Sequence, residues 1–526
     1  MTQAIGAEGM EIAALTRKGA QQFTDSVAVS FEGKSLTYAQ LFERSCRLAN
    51  ALHALGVRPG ERVATLSDNG LESVELIAGL AIGGYVRAAL YTHNSTESNL
   101  YLLDDLIEAS VLLIDAAHYE HLAAPLARAR HPRHVIVLAG PAPPETLDYE
   151  EALAGAAATD PGVVSRPSDP HVIRFSAGTT GKPKGILHTV EGWRNVATEA
   201  ALTMPRLTPD DRYLAAGPLS HAAQLPIYPI LAAGGSIVIM RAFHPEHFLE
   251  LIKREGCTTT LLVPTMIQMI VQHPAAATAD VASLRGVFYG ASPISEQTMT
   301  EARALWGDVL YQAYGQSEVA VLTTLSPRDH VPASSGSNRL RSAGRPTPNT
   351  VIRIVDEDGN DLPAGTIGEI AARTPAAMAG IWRDPDATAK RFLPDGSILT
   401  RDMGYLDEDG FLYLADRKED MIISGGYNIW PAELENALGS HPAVAQVAVV
   451  GVPHDKWGET PKAVVVLRPG HHTSAEELID WTSNKVGAVK RATSVEFADD
   501  LPKSPLGKVL RREVRARCLA APVPGG

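Results

Sequence analysis

Ser176-Ala-Gly-Thr-Thr-Gly-Lys-Pro-Lys-Gly185 follows the apolar run Val172-Ile173 and combines three glycines, three hydroxyl side chains and two lysines. Glycine lets the backbone approach an anion closely and adopt φ > 0. Successive backbone N–H groups in such a turn, with hydroxyl and ammonium donors beside them, form an anion-binding nest. The segment therefore predicts a phosphate-binding loop, although the same residues also build ordinary surface turns. It is not a Walker A loop, because Ser176 stands where that pattern needs glycine.

This segment resembles the phosphate-binding loop of the adenylate-forming enzymes, a family that includes acyl-CoA synthetases, firefly luciferase and nonribosomal peptide adenylation domains. Ala177 is a departure, since the family usually has a hydroxyl residue there. The resemblance implies ATP, Mg²⁺ and CoA as cofactors, with the loop holding the β- and γ-phosphates. The implied loop contacts are Ser176, Gly178, Thr179, Thr180, Gly181, Lys182 and Lys184.

Length and charge narrow the class of protein. A chain of 526 residues is too long for one ordinary core, so we expect two or more domains. A net charge of −13 disfavours nucleic acid and anionic membranes as partners. The three cysteines are widely spaced, and the sequence has no secretory signal and no apolar run long enough to span a bilayer. We therefore expect a cytoplasmic protein that acts on small molecules. A homodimer is compatible with these features.

Short β-branched runs alternate with amphipathic helical patterns through most of the chain. The runs that predict buried strands are Val63–Leu66, Val111–Ile114, His134–Leu138, Ile237–Met240 and Thr259–Val263. The helical patterns include Tyr38–Leu55 and Pro245–Glu255. Such alternation is typical of layered α/β folds with parallel sheets.

The pattern changes from Val351 onwards. Short strands at Val351–Val355, Glu369–Ala372 and Phe411–Leu414, separated by Asp-Gly and Pro-Ala-Gly turns, predict a small antiparallel β subdomain. Beyond a charged stretch at Asp416–Asp420, which suits a linker, helices and strands predict a compact α+β unit. Its elements are Pro431–Leu438, Val444–Val450, Lys462–Leu467 and Ala475–Lys485. We therefore expect a large N-terminal domain of layered α/β subdomains at residues 1–418 and a small, mobile C-terminal lid at residues 419–526.

A second motif is Tyr311-Gln-Ala-Tyr-Gly-Gln-Ser-Glu318. An aromatic ring beside a glycine suits stacking on a base, while a hydroxyl suits phosphate and a carboxylate suits Mg²⁺. Taken alone the motif is weak, because Tyr-Gly is a common turn. The resemblance places Tyr314 against adenine, Ser317 near the α-phosphate and Glu318 on Mg²⁺. It also adds Gly290, Ala291 and Gly315 to the nucleotide-binding residues.

A third motif runs from Thr400-Arg-Asp-Met-Gly-Tyr405 to Ser424-Gly-Gly-Tyr-Asn-Ile-Trp-Pro431. The carboxylate of Asp402 can accept hydrogen bonds from both ribose hydroxyls, and Arg417 can donate to them, although both residues also suit solvated turns. The family commonly has Thr-Gly-Asp at the first segment, so Arg401 is a departure. The resemblance makes Glu419 the hinge of the small domain. It also makes Gly425 and Gly426 the passage for the pantetheine arm of CoA.

The fourth motif, Leu501-Pro-Lys-Ser-Pro-Leu-Gly-Lys508, places a lysine beside a glycine near the end of the chain. Such a lysine can neutralise charge on a transferring phosphate, or it can simply be solvated. The resemblance makes Lys508 the catalytic lysine of the adenylation step. The surrounding lysines and arginines suit either the 3′-phosphate of CoA or a solvated helix face.

Pro218-Leu-Ser-His221 matches the position where the family places an aromatic residue or a histidine beside the acyl group. The resemblance implies that His221 positions the carboxylate or shapes the thiol channel, although a lone histidine is often structural. Amino-acid-activating relatives carry an aspartate at the position of Ala222, so an α-ammonium group is not expected in the substrate. The residues predicted to line the acid pocket are His221, Ala222, Leu225, Val263, Ala313, Val319, Ala320 and Val321. Apart from the histidine they are apolar, which predicts a hydrophobic acid.

The four motifs occur in the family's order along almost the whole chain, and together they are far more specific than any one of them. They predict an AMP-forming acyl-CoA synthetase, with Lys508, His221, Ser317 and Glu318 as its catalytic residues. Such an enzyme forms acyl-AMP and pyrophosphate and then transfers the acyl group to CoA. Three alternatives stay open: an enzyme that loads a separate carrier protein, a nucleotide-binding regulatory protein without chemistry, and an oxidative luciferase, which no feature of the sequence favours. Fatty, aryl and sterol side-chain acids all fit the predicted pocket.

Overall fold

The computed structural model describes residues 12–176, 183–292, 294–330, 339–417, 420–424, 427–454, 456–503 and 509–520. Within these ranges the protein is a layered α/β structure, as predicted. Its helices are α1 Ile12–Gln22, α2 Tyr38–Ala54, α3 Leu71–Ile82, α4 Thr96–Leu100, α5 Ala116–Leu126, α6 Tyr149–Ala154, α7 Val190–Thr203, α8 Ile227–Ala232, α9 Pro245–Glu255, α10 Pro264–Gln272, α11 Glu296–Trp306, α12 Pro385–Ala389, α13 Pro431–Gly439, α14 Ala475–Val486 and α15 Arg511–Ala520.

Among the described residues, four sheets are formed by the following strands. They are β1 Val27–Phe31, β2 Lys34–Thr37, β3 Arg62–Leu66, β4 Val86–Ala89, β5 Val111–Ile114, β6 His134–Val137, β7 Leu147–Asp148, β8 Pro170–Ser176, β9 Lys184–Thr189, β10 Arg212–Ala215, β11 Ser236–Ile239, β12 Thr259–Leu262, β13 Gly286–Gly290, β14 Leu310–Gln316, β15 Ala320–Leu325, β16 Arg345–Pro346, β17 Val351–Val355, β18 Gly368–Arg373, β19 Gly380–Ile381, β20 Ile398–Leu406, β21 Leu412–Arg417, β22 Ile422–Ser424, β23 Tyr427–Ile429, β24 Val444–His454, β25 Gly458–Leu467 and β26 Ser494–Phe497.

The first large sheet has the strand order β19-β9-β8-β4-β3-β5-β6-β7. Its centre is parallel, and all four residues of the apolar strand Val111–Ile114 are buried, as expected of a strand covered by helices on both faces. β8 and β9 pair antiparallel, with Ser176 opposite Lys184. The two ends of the predicted phosphate-binding loop therefore lie side by side at the end of this strand pair.

The second large sheet has the order β16-β15-β14-β13-β12-β10-β11-β1-β2. The strands from β11 to β14 run parallel, and β15 returns antiparallel beside β14. The motif around Tyr314 occupies the end of β14 and the turn into β15. Because Gly290 stands opposite Ala313 in the register, the end of β13 lies next to this motif.

The predicted antiparallel β subdomain is confirmed as a sheet in the order β17-β18-β20-β21. Asp402 on β20 stands opposite Arg417 on β21, so the two predicted ribose-binding residues are adjacent on the backbone. The linker prediction at Asp416–Asp420 is wrong at its start. Asp416 and Arg417 belong to β21, because the nine-residue strand β20 supplies backbone partners for them.

The predicted α+β unit at the C-terminal end is also confirmed. Its sheet has the order β23-β22-β25-β24, with β26 parallel to β25 and helices α13, α14 and α15 packed on it. Arg511 at the start of α15 pairs with Glu435 at 2.6 Å and with Asp420 at 3.0 Å, which ties the last helix to the unit. The domain boundary at residue 418 stays a prediction.

The apolar segment Ala222–Met240 contains a 3₁₀ turn at Ala222–Gln224, then α8 and β11. These elements belong to the packed core of the second large sheet. Among the described residues, every helix is too short or too polar to cross a lipid bilayer.

Arg401 has φ = 64°, in the left-handed region that favours glycine. It occupies the position at which the adenylate-forming enzymes commonly have glycine. Its backbone N–H donates to Oε1 of Glu369 at 3.1 Å, so the surrounding structure holds the residue in this conformation. Arg401 is thus a non-glycine residue held in a strained, left-handed backbone conformation.

We expect Arg401→Gly to be more stable than Arg401→Ala by about 0.5–1 kcal/mol, because glycine relieves the left-handed strain and loses part of that gain to backbone entropy. The comparison with alanine removes the arginine side chain from both variants. Thermal unfolding midpoints of the two variants test this expectation. An alanine variant as stable as the glycine variant would contradict it.

Candidate active site

Asp402 joins the second large sheet to the antiparallel subdomain. Its Oδ2 accepts hydrogen bonds from the hydroxyl of Tyr314 at 2.7 Å and from Nε2 of Gln316 at 2.5 Å. The same amide nitrogen donates to the carbonyl of Thr400 at 2.8 Å. Two side chains of β14 thus fix the orientation of the carboxylate predicted to bind ribose. Tyr314 is 7% exposed, and its hydroxyl is bonded to Asp402. Its contact with adenine stays a prediction.

Two glycines of the predicted nucleotide site are required by close backbone approach. A Cβ on Gly315 would lie 1.5 Å from the carbonyl oxygen of Ala320, and a Cβ on Gly290 would lie 2.1 Å from that of Ala313. Both distances are far inside van der Waals contact. Ala291, directly after β13, has φ = 68° and turns the chain away from the sheet. These contacts keep β13, β14 and β15 close together around the Tyr314 motif.

Glu318, the predicted Mg²⁺ ligand, lies in the turn between β14 and β15 beside a buried arginine. Nη1 of Arg391 donates to Oε1 of Glu318 at 3.2 Å, and the two side chains are 8% and 13% exposed. Nε of Arg391 donates to the carbonyl of Leu399 at 2.9 Å, which anchors it to β20. Oε2 of Glu318 has no hydrogen-bond donor within the described ranges. An anchored carboxylate with one oxygen left over fits a hard cation such as Mg²⁺.

Lys184 lies at the end of the predicted phosphate-binding loop and faces α12. Its Nζ is 3.9 Å from Oδ2 of Asp384, the N-cap residue of that helix. The backbone N–H of Trp382 donates to the carbonyl of Gly185 at 2.7 Å. The segment that carries Asp384 and Arg391 therefore contacts both the phosphate loop and Glu318.

Ser317, predicted to lie near the α-phosphate, is held through its backbone by a buried histidine. Nε2 of His188 lies 2.7 Å from the carbonyl oxygen of Ser317. Burial lowers the pKa of His188 to about 4, so the ring is neutral at physiological pH. Because a carbonyl oxygen only accepts, Nε2 carries the proton and donates. β9 is thereby joined to the turn that holds Ser317 and Glu318.

His221 is a neutral, anchored imidazole. Its ring stacks on Tyr91 with 3.9 Å between centroids, and its Nδ1 lies 2.8 Å from Oγ of Ser220. Burial lowers its pKa to about 3, with smaller contributions from the positive charge of Arg174 and from His93. The ring can therefore shape the site and exchange hydrogen bonds, but it carries no charge at neutral pH.

Three residues that the sequence reasoning missed hold His221 in place. The hydroxyl of Tyr91 donates to the carbonyl of Phe175 at 2.8 Å, just before the phosphate loop. Buried Arg87 donates to Oε1 of Gln224, whose Nε2 donates to the carbonyl of His221 at 3.0 Å. Tyr91 and Arg87 gave no signal in the sequence, because their partners Phe175 and Gln224 are distant along the chain. Gln224, in contrast, is only three residues from His221.

Arg174 is a further residue that the sequence reasoning missed. It lies on β8, two residues before Ser176, and its guanidinium is 5.9 Å from the ring centroid of Trp193. Burial lowers its pKa, an effect that Tyr91 and the carboxylate of Glu318 oppose. An arginine inside the otherwise apolar run Val172–Phe175 was the available signal.

The predicted pocket residues differ in exposure. Val319 is fully buried in a cluster with Tyr314, and Ala320 is 5% exposed in the main core, so both support the site from behind. The remaining apolar candidates are partly exposed and able to contact a ligand; these are Ala222, Leu225, Val263, Ala313 and Val321.

Several predicted site residues lie outside the described residues. They are Gly178, Thr179, Thr180, Gly181, Lys182, Glu419, Gly425, Gly426 and Lys508. For Arg417 the structure describes the backbone, which pairs with Asp402.

Residues 16–382 match a family model described as AMP-binding enzyme, and residues 433–508 match the AMP-binding enzyme C-terminal domain. The chain belongs to the AMP-binding enzyme family. This is the adenylate-forming superfamily that the sequence resembled, in its acyl-CoA synthetase branch. The protein is an enzyme of the acid–thiol ligase class.

Three curated relatives match over nearly the whole chain. The medium/long-chain-fatty-acid–CoA ligase FadD8 of Mycobacterium tuberculosis is 35% identical, over 92% of this chain and 86% of its own. The fatty acid–[acyl-carrier-protein] ligase ScoC of Streptomyces coeruleorubidus is 34% identical, over 95% and 94%. A feruloyl-CoA synthase of an Amycolatopsis species is 37% identical, over 94% and 96%. ATP-bound MatB from Rhodopseudomonas palustris superposes with a TM-score of 0.86 at 27% identity, covering 96% and 98%.

We expect Tyr314→Phe to weaken ATP binding by about two- to tenfold, because Asp402 loses one hydrogen bond that orients its carboxylate. Equilibrium binding of ATP, measured by titration calorimetry, checks this expectation. Tyr85→Phe is the matched control, since the Tyr85 hydroxyl donates to the carbonyl of Ala49 in a separate core. Equal ATP affinity in Tyr314→Phe and wild type would contradict the role given to this phenol.

Proposed function

We propose that this protein is an AMP-forming carboxylic acid–CoA ligase for hydrophobic acids, either fatty or aryl. It converts the acid and Mg·ATP to acyl-AMP and pyrophosphate, and then transfers the acyl group to CoA as a thioester. The observation that carries the proposal is that residues from strands of three different sheets, β9, β14 and β20, meet at one place. His188 on β9 holds Ser317, Glu318 follows on the same turn, and Tyr314 on β14 holds Asp402 of β20.

The partly exposed apolar residues predicted to line the acid pocket support a hydrophobic acid. None of them offers a charge to an α-ammonium group, and Ala222 stands where amino-acid-activating enzymes have aspartate. FadD8 is named for medium- and long-chain fatty acids, and the feruloyl-CoA synthase is named for an aryl acid. Relatives of similar identity thus act on both kinds of hydrophobic acid.

In the first step a carboxylate oxygen attacks the α-phosphorus of ATP, and the bond to pyrophosphate breaks. The phosphate loop and Lys508 would neutralise charge on the phosphates, Ser317 would lie beside the α-phosphate, and Asp402 with Arg417 would hold the ribose. Mg²⁺, bound through Oε2 of Glu318, would supply further neutralisation of the phosphates. Positioning and electrostatic stabilisation are the main sources of rate in such phosphoryl and nucleotidyl transfers.

In the second step the thiol of CoA attacks the acyl carbon and AMP leaves. The lid would rotate about Glu419 to withdraw Lys508 and admit the pantetheine arm past Gly425 and Gly426. A cavity of about 740 Å³ supports such a motion, since it separates the antiparallel sheet from the C-terminal unit. Its walls include Tyr405 and Tyr413 from the sheet and Trp430 from the start of α13. Domain rotation lets one site serve two reactions.

The likeness to ScoC favours one alternative, transfer of the acyl group to a separate carrier protein. The decisive experiment supplies ATP, Mg²⁺ and a panel of fatty, aryl and sterol side-chain acids, with and without CoA. Pyrophosphate release with some member of the panel, followed by thioester only when CoA is present, supports the CoA ligase. Acyl-AMP that accumulates in the presence of CoA favours the carrier alternative. No acid-dependent pyrophosphate release overturns the proposal.

We expect Lys508→Ala to reduce acyl-AMP formation by about a hundredfold or more, because it removes the charge that stabilises the transferring phosphate. Thioester formation from preformed acyl-AMP should fall far less, since that step needs no phosphate neutralisation. Pyrophosphate release and thioester formation are measured separately. Lys503→Ala, in the same motif, is the control, because Lys503 pairs with Asp500. Unchanged pyrophosphate release in Lys508→Ala would favour a nucleotide-binding protein that uses the loop without chemistry.

A further inference from the structure

Arg174 occupies the face of β8 that points towards the second large sheet. Side chains alternate along a strand, so Val172, Arg174 and Ser176 share one face. Val172 packs in the core that includes residues of the second sheet, whereas Ile173 and Phe175 pack in the core of the first. Arg174 is about 6.6 Å along the strand from Ser176, where the phosphate-binding loop begins. It therefore lies between the two large sheets, close to Ser176.

The guanidinium of Arg174 has no hydrogen-bond acceptor among the residues that the structure describes. One side is covered by the indole of Trp193 at 5.9 Å, a cation–π contact that satisfies no N–H donor. The side chain is surrounded by protein yet remains partly exposed, as a residue lining a deep cleft would be. A guanidinium has five N–H donors, and burying them without acceptors is costly. Within the described residues the guanidinium therefore has donors that a ligand can satisfy.

The charges around Arg174 indicate which kind of ligand it binds. Glu318 lies within electrostatic range, but its Oε1 already accepts from Arg391. His188 and His221 are both neutral at physiological pH. Arg174 and Arg391 are both within electrostatic range of Glu318. Arg87 adds a third positive charge near Arg174, so this side of the site carries a surplus positive charge. A guanidinium in such surroundings suits a carboxylate, which it can bind through two parallel hydrogen bonds.

We propose that Arg174 binds the reacting carboxylate of the acid and presents it to the α-phosphorus of ATP. The assignment rests on the proposed function and names the residue that recognises the substrate's acid group. Arg174 is two residues from Ser176 on β8, and His221, predicted to line the acid pocket, is within its electrostatic range. The bound carboxylate oxygen forms the new bond to phosphorus, the bond to pyrophosphate breaks, and Arg174 keeps its proton throughout. A hydrophobic acid is then recognised by one cation at its head and apolar residues along its body.

The experiment compares each acid with its uncharged amide. Octanoate and ferulate are titrated against octanamide and ferulamide in the presence of α,β-methylene-ATP, which fills the nucleotide site without reacting. The variants are Arg174→Met, which keeps the volume, and Arg174→Lys, which keeps the charge. Arg194→Met on the neighbouring helix α7 is the control, because Arg194 pairs with Glu191 on its own helix at 3.2 Å. Thermal midpoints and affinity for the nucleotide analogue verify that each variant is folded.

We expect Arg174→Met to lose about ten- to a hundredfold in affinity for whichever acid the wild type binds, because a charge-assisted pair is removed. Affinity for the matching amide should stay within about twofold, as only the carboxylate engages the guanidinium. Arg174→Lys should recover part of the loss, and Arg194→Met should behave as wild type. In steady state the KM for the acid should rise in Arg174→Met while the KM for ATP stays unchanged.

Three results would overturn the proposal. An equal loss for acid and amide would mean that Arg174 only packs against the ligand. Where the wild type binds both acids, a loss confined to ferulate would place the arginine at the distal hydroxyl of that acid. A loss of affinity for the nucleotide analogue would assign Arg174 to the phosphates. Failure of the wild type to release pyrophosphate with any acid of the panel is a separate result and counts against the proposed function instead.

Discussion

The hydrogen bonds that converge on Asp402 are the contact on which the arrangement of the site depends. Tyr314 and Gln316 end a strand of the second large sheet, and Asp402 belongs to the antiparallel subdomain. These bonds orient the predicted ribose-binding carboxylate towards β14, and Gln316 and Arg391 further link β20 to the turn that carries Ser317 and Glu318. A charged acceptor makes both hydrogen bonds stronger than bonds between neutral groups. The same bonds therefore position the carboxylate and join two sheets.

Burial determines which groups at the site carry charge. It lowers the pKa of His188 and His221 so far that both rings are neutral at physiological pH, where they orient neighbouring groups through hydrogen bonds and stacking. Arg174 and Arg391 stay positive, because a guanidinium keeps its proton in proteins. The arginines thus provide the fixed positive charge of the site, and the neutral histidines determine its shape. An enzyme that handles phosphates and a carboxylate gains cations that do not depend on pH.

Much of the fold could be predicted from local patterns. The bounds of α9 at Pro245–Glu255 were predicted correctly, since proline begins that helix and the left-handed Gly256 ends it. The strand Val351–Val355 was also correct, because turn residues flank it on both sides. The end of β21 was missed, since Asp416 and Arg417 are charged and join the sheet only because β20 extends far enough to pair with them. The left-handed φ of Arg401 could not be predicted from the local pattern either, because it depends on how the neighbouring strands pair.

The sequence by itself determined the family, the order of its motifs and the nucleotide chemistry they imply. Each motif is a short run of neighbouring residues, so it can be recognised without knowledge of the fold. It also pointed to an apolar acid pocket, through Ala222 and its neighbours. Only the tertiary structure decided which groups meet: Tyr314 with Asp402, Glu318 with Arg391, and Tyr91 with His221. These partners are far apart along the chain. Their charge states follow from burial, and burial exists only once the sheets have packed.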